Sequence, residues 1–214
     1  MNMYEIGIPE LMELIREGHT GVKYALANRD ALVARKHTYT LYGPHSPTIG
    51  ASIPTNLVPA KVRQLKRTNR RKNYIIYELD DSYKVLRTIL MLDYTECDCV
   101  MHHFELDGVT YAYHFSDMLQ LKNDRIDVLK YQNGQPIYCA EIMGNYIFAQ
   151  FCEYTEQNKM RVATYSFSPE SKHTQFGYPV DWNAPIGALN SPVSRSIREE
   201  PIQYIDFSYW FEGK

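Results

Sequence analysis

The chain has 214 residues, a hydrophobic content of 44% and a formal net charge of −2. That length can bury a core without disulfides or metal, as one large domain or two small ones. The near-neutral charge argues against a dedicated nucleic-acid binder, though a local basic patch remains compatible with it.

The opening stretch MNMYEIGIPELMELIREG has no basic segment leading into an apolar one, and the longest apolar runs are too short to span a bilayer. The reading is a soluble, reduced, cytoplasmic protein with no membrane partner, in which Cys97, Cys99, Cys139 and Cys152 stay free. Leu11, Leu14 and Ile15 recur at helical spacing, with Pro9 in the first turn and Gly18 as the stop, so a short N-terminal helix is expected. Residues 21–34 read as either helix or strand. HTYTLYG alternates and reads as a strand ending at Gly43. Residues 43–59 carry Pro44, Pro47, Pro54 and Pro59, which cannot donate to a ladder, and so form a long ordered loop or linker.

A basic run follows: Lys61, Arg63, Lys66, Arg67, Arg70, Arg71 and Lys72. It reads first as a solvated turn of helix and second as a contact to phosphate or to an acidic partner. From residue 73 the period changes to two. NYIIYEL and YKVLRTILML flank Asp80-Asp81-Ser82; CDCVMHHFEL and VTYAYHF flank Asp107-Gly108; IDVLKYQ and PIYCAEIM flank Asn133-Gly134. YIFAQFCEY and KMRVATYSF follow, with at most a short helix at 116–121. The chain carries 18 Tyr against 8 Phe and 2 Trp. Tyr packs its ring yet presents a hydroxyl, which suits strand faces and contact surfaces. Residues 168–196 are broken by Gly and Pro, and IQYIDFSYWF then offers a final aromatic strand or plug. The fold class is mainly β: an antiparallel meander or strongly curved sheet of hairpins, with a short N-terminal helix and long Pro-rich loops, α+β being the alternative. The segments are 1–60 (helix and Pro-rich stretch), 61–167 (antiparallel β) and 168–214 (irregular loop and aromatic tail), all within one domain.

A two-residue turn at Asp107-Gly108 fixes a register. It pairs Leu106 with Val109, Phe104 with Tyr111, His102 with Tyr113 and Val100 with Phe115 on one apolar face. The other face pairs Glu105 with Thr110, His103 with Ala112, Met101 with His114 and Cys99 with Ser116. Cys97, Cys99, His103 and His114 then share a face, but along a flat strand at about 3.4 Å per residue they spread over roughly 20 Å, too far for one ion without a bulge. No metal and no cofactor are expected, and His102 beside Tyr113 reads as a core histidine.

No nucleophile elbow, Walker A loop, dinucleotide-binding loop or H-E-x-x-H motif is present. If the chain is an enzyme, His103 and His114, diagonal neighbours on one face, are the candidate acid and base for a phosphodiester or other hydrolytic reaction, with Glu105 and Asp117 nearby. The preferred reading is binding. Tyr131, Tyr138, Tyr154, Tyr165 and Trp210 are the candidate partner-binding rings, because rigid aromatic area costs little entropy to order. The hairpins ending in YQNGQPIY and EYTEQNKM resemble, in texture over residues 73–167, the stacked sheets of bacterial toxin-immunity proteins. The basic run departs from the acidic surface expected of a nuclease inhibitor. The resemblance implies a non-catalytic, cytoplasmic protein-binding or inhibitory module whose partner is another protein. The alternatives are the histidine hydrolase and a structural or phage assembly protein, with nucleic acid as a further partner through residues 61–72.

Overall fold

Alternating side chains separated by tight turns produce a meander, because each strand finds its partner in the strand next to it in sequence. In the computed structural model, which describes residues 6–44, 74–92, 96–115, 125–132, 135–143, 146–155, 159–167 and 194–201, ten strands form one open antiparallel sheet whose spatial order is the chain order. They are β1 (Tyr39–Pro44), β2 (Tyr74–Leu79), β3 (Val85–Leu92), β4 (Glu96–Leu106), β5 (Val109–His114), β6 (Ile126–Gln132), β7 (Gln135–Met143), β8 (Tyr146–Tyr154), β9 (Lys159–Phe167) and β10 (Ser194–Pro201). The sheet therefore draws its first strand from residues 1–60 and its last from residues 168–214. No described helix is long and apolar enough to cross a membrane.

The central hairpin has the register expected from its turn. Leu106 pairs with Val109, Phe104 with Tyr111, His102 with Tyr113 and Met101 with His114. Asp107 and Gly108 both take positive φ, 51° and 76°, the geometry a two-residue primed turn demands. The β2–β3 turn is tied differently. Asp80 Oδ1 accepts from Ser82 N at 2.9 Å, Ser82 Oγ at 2.7 Å and Lys84 N at 2.9 Å. Partial burial opposes ionisation of Asp80, but these hydrogen bonds and the Lys84 charge outweigh it and hold the carboxyl below its ordinary range. Tyr83 takes φ 64° here, and its ring stacks on Tyr39 with centroids 5.0 Å apart.

Two helices precede the sheet, α1 (Ile8–Ala27) and α2 (Arg29–Val33). The expected stop at Gly18 is not one: α1 runs nine residues past it (27 − 18 = 9), and residues 21–27 are helical. The reason is packing. Leu11, Leu14, Ile15, Gly18, Gly21, Val22 and Ala25 form the buried stripe, and the two glycines sit where the helix meets the sheet. A Cβ on Gly18 would fall 2.6 Å from Ile142 Cδ1, and one on Gly21 2.5 Å from Tyr111 Cδ1 and 2.8 Å from Ile126 Cδ1. Glycine is here for approach distance rather than as punctuation. Glu10 closes the start of α1 by accepting from Gly7 N at 2.8 Å, and Asn28 ends it by donating Nδ2–H to Tyr24 O at 2.8 Å.

The helices lie on the face that carries Phe104, Tyr111, Tyr113, Ile126, Val128, Tyr138, Ala140, Ile142, Ala149, Phe151, Ala163 and Tyr165, and together they form the main core. β10 was not expected. SRSIREEP carries too much charge for a half-buried strand, yet it pairs with β9 along its whole length. Its charges suit the last strand of a sheet, where like-to-like edge pairing must be discouraged. Arg161 on β9 holds it, donating Nε–H to Glu199 at 3.1 Å and lying 3.7 Å from Glu153 on β8. The Asn133-Gly134 turn, the 43–59 loop beyond Pro44, the 116–121 segment and the aromatic tail lie outside the described residues.

Gly21→Ala tests the close approach. Alanine favours helix by about 1 kcal/mol over glycine, but the added methyl must displace a buried tyrosine ring, and overpacking of this kind costs about 1–3 kcal/mol. The expected outcome is net destabilisation in chemical denaturation; a stabilised variant would show that the helix can lift off the sheet at no cost.

Candidate functional site

Cross-strand register places one polar constellation on each face. On the helix-bearing face a straight row runs Glu78 (β2), Arg87 (β3), His102 (β4), Tyr113 (β5), Ile126 (β6) and Ile142 (β7), each paired with the next. The apolar end lies under α1 and the polar end beside α2, so the two helices divide the row by chemistry. Arg87 donates Nε–H to Glu78 and Nη1–H to Val33 O at the end of α2, the latter at 3.0 Å. His37 Nδ1 lies 3.4 Å from both Glu78 Oε1 and Arg87 Nη2. Arg35 reaches down from beyond α2 and donates to the His103 carbonyl and, at 3.4 Å, to Leu32 O. Burial and the nearby Arg87 charge both push the Arg35 guanidinium below its ordinary range.

His102 stands behind these cations. It is 7% exposed, its ring meets Phe115 edge-on at 5.1 Å, and Arg29 lies over the Phe115 ring at 5.7 Å. A ring nitrogen bonds to the Leu32 backbone, while Nδ1 is buried with no hydrogen-bond partner among the described residues. Burial, followed by repulsion from Arg87, lowers its pKa from 6.5 to about 4, so the ring is neutral at pH 7. We call this group of Arg35, Arg87, Glu78, His37 and His102 the α2 notch.

The opposite face holds the expected catalytic pair, and both rings are buried, His103 to 3% and His114 to 8% exposure. His103 Nε2 is 3.0 Å from Thr88 Oγ1, and His114 Nδ1 is 3.0 Å from Val100 O. Met101 and Ala112, the residues they pair with across the β4–β5 ladder, are equally buried. The solvent-open cleft that an acid–base pair requires is therefore absent at these two described residues. Glu105 is exposed and pairs with Lys84 at 2.9 Å, and Asp117 lies outside the described residues.

Further along this face, Asp127 and Glu141 are direct cross-strand neighbours, with Arg125 reaching both. Arg125 Nε is 3.2 Å from Asp127 Oδ1, and Arg125 Nη1 is 3.2 Å from Glu141 Oε2. Two adjacent carboxylates, one wholly buried, are tolerable only with such a cation between them. Cys139 lies among the same groups, and burial first, then the two carboxylates, pushes its thiol well up, so it is an inert thiol rather than a nucleophile. No group of three or more His, Cys, Asp or Glu among the described residues is arranged to hold a metal ion.

The expected aromatic surface needs correction. Tyr138 and Tyr165 are core residues, 6% and 2% exposed on the helix-bearing face. Tyr138 donates its hydroxyl to Glu17 of α1, and burial and that carboxylate raise its pKa. Their strands alternate as the sequence implied, but the inward parity falls on the tyrosines because α1 covers this end of the sheet. Tyr131 and Tyr154 are half-buried, Tyr131 packing beside Met101, Leu129 and Cys139. Trp210 lies outside the described residues, as do Lys61, Arg63, Lys66, Arg67, Arg70, Arg71 and Lys72.

Of the notch residues only His102 was singled out in the sequence, as a core histidine beside Tyr113, and it is buried there. The available signal was Arg87 interrupting an apolar strand, but its partner His102 emerges only when the β3–β4 register is known. Arg125, Asp127 and Glu141 had a similar signal, charges recurring at every second position within apolar strands.

No family model, no curated protein and no solved structure matches the chain.

Two outcomes are expected. His102 has a lower pKa folded than unfolded, so between pH 6.5 and about 4 the unfolded chain binds the extra proton. This contribution to stability is complete above pH 6.5 and is lost as pH falls toward 4, at no more than about 1.4 kcal/mol per pH unit. In denaturation across that window His102→Gln should flatten the dependence; an unchanged slope would show the ring titrates normally. Arg125→Met should destabilise by about 3–5 kcal/mol, the cost of a buried carboxylate deprived of its cation. A loss below about 1 kcal/mol would show that Asp127 does not depend on Arg125.

Proposed function

We propose that this chain is a non-catalytic protein-binding module of the inhibitory, immunity-like kind, with another protein as its partner. The observation that carries the reading is the α2 notch. There Arg87, 18% exposed, meets Glu78, Val33 O and His37, and Arg35 lies close enough for the two guanidinium groups to act on each other. Paired guanidinium groups are suited to grip an acidic group of a partner, which supports the binding reading. Burial of His103 and His114, each tied to a neighbouring oxygen, removes support from the hydrolase reading. The immunity-like part rests on the hairpin texture, and a cytoplasmic setting accords with Cys139 as a buried free thiol.

The test is reconstitution. The full chain is purified under native conditions from its own cells, the species that travels with it is identified, and the two are recombined from pure stocks. The expected result is a protein complex of fixed stoichiometry that survives gel filtration. Failure of every copurifying protein to re-form a complex, or turnover of a copurifying small molecule, would overturn the reading.

A further inference from the structure

We propose that Arg35, Arg87 and His102 form a receptor for a single carboxylate, supplied by an acidic side chain or chain terminus of the partner. This rests on the binding-module reading above and names the chemistry its site recognises.

Charge comes first. Two guanidinium groups act on each other within the notch, strongly enough that Arg87 disfavours the charged form of Arg35. One carboxylate, Glu78, is ion-paired there with Arg87. Asp80 also acts on Arg35, but less than Arg87 does, and the Lys84 charge beside Asp80 offsets it. The notch is left about one positive charge in excess. A carboxylate matches that charge, whereas a phosphate dianion exceeds it.

Geometry comes second. Glu78 takes Nε of Arg87; at the outer fork Nη1 donates to Val33 O at 3.0 Å and Nη2 meets His37 Nδ1 at 3.4 Å, on a side chain 18% exposed, so an incoming carboxylate replaces the long His37 contact. A guanidinium fork is suited to carboxylate oxygens at this edge.

The third observation is independent of the arginines: the His102 Nδ1 nitrogen. It is a buried polar atom without a hydrogen bond among the described residues, on a side chain that is 93% buried (100 − 7 = 93). An unmade bond of this kind is costly. His102 sits directly across the ladder from Arg87. When a carboxylate offsets the two guanidinium charges, a proton on Nδ1 becomes tolerable, and the protonated nitrogen gains the carboxylate as its acceptor. Binding is thus coupled to uptake of one proton by the ring. Besides Arg87 and Arg35, His114 of β5 acts on this ring, and Arg29 of α2 lies over Phe115, which His102 meets edge-on.

The experiment uses the full chain labelled in its histidine rings, titrated with acetate at constant ionic strength and followed by NMR. The expected result is a saturable shift of the His102 ring toward the imidazolium form and a rise in its pKa. Arg87→Gln should weaken acetate binding by roughly tenfold or more. Glu78→Gln should strengthen it, because the notch then carries a second uncompensated charge. Both variants break the same ion pair, so a purely structural role would move them together; opposite shifts support the receptor and parallel shifts overturn it, with thermal melting confirming that each variant is folded. No saturable response to acetate would also overturn it. Tighter binding of inorganic phosphate than of acetate, with the same His102 response, would assign the notch to phosphoryl groups and overturn the carboxylate. A reconstituted partner that binds Arg87→Gln as tightly as the parent chain removes the receptor but leaves the binding module standing. An acetate response with no protein partner does the reverse.

Discussion

The close contact of α1 with the middle of the sheet is the constraint on which the rest depends. A helix packs on a sheet at about 10 Å when ordinary side chains separate them. Here Gly18 and Gly21 remove that separation, and Ile142, Tyr111 and Ile126 fill the space instead. Large residues on the sheet and absent ones on the helix make one interlocking surface. Seating α1 sets the position of Asn28, which ends it, and Asn28 starts α2 at once. The notch exists because that chain of placements puts Val33 and Arg35 against β3 and β4.

The same contact explains why two polar groupings can be buried in one sheet without unfolding it. Asp127, wholly buried, and Glu141 flank Arg125 on the face away from the helices, and Glu78 and Arg87 pair on the other. Each set is local to two adjacent strands. The apolar end of the long row, under α1, is where burial is most complete, and the hydrophobic contribution there offsets the cost of desolvating the charges elsewhere.

Much of the fold was legible in the sequence because hairpin register is a local property. Asp107-Gly108 sets the pairing of His102 with Tyr113 and Met101 with His114 by counting alone. What was not legible depends on contacts distant in sequence. Gly18 looked like a helix stop because the methyl groups of Ile142 and Ile126 that replace its side chain lie far along the chain. Tyr138 and Tyr165 looked like surface rings because parity says which residues share a face, not which face the helix covers. The notch was hidden for a further reason. A register shift between Leu90 and Met91 makes it unsafe to count from β3 to β4, so Arg87 could not be placed opposite His102. β10 was missed because its composition answers to the demands of a sheet margin rather than to those of a core.

Strand order that copies chain order has a consequence for synthesis. Each hairpin can close as soon as its second strand has been made, so the sheet grows from one side, like a fabric knitted row by row. α1 is the exception. It precedes the sheet in the chain, yet the surface it covers is supplied by β5 to β8, which end at Tyr154. β5 and β6, complete at Gln132, offer its stripe of Leu11, Leu14, Ile15 and Val22 a first surface, and the seat is finished only with β8. α1 therefore waits for strands far along the chain to complete its seat, and whatever shelters that stripe in the interval belongs to the biology of the nascent chain.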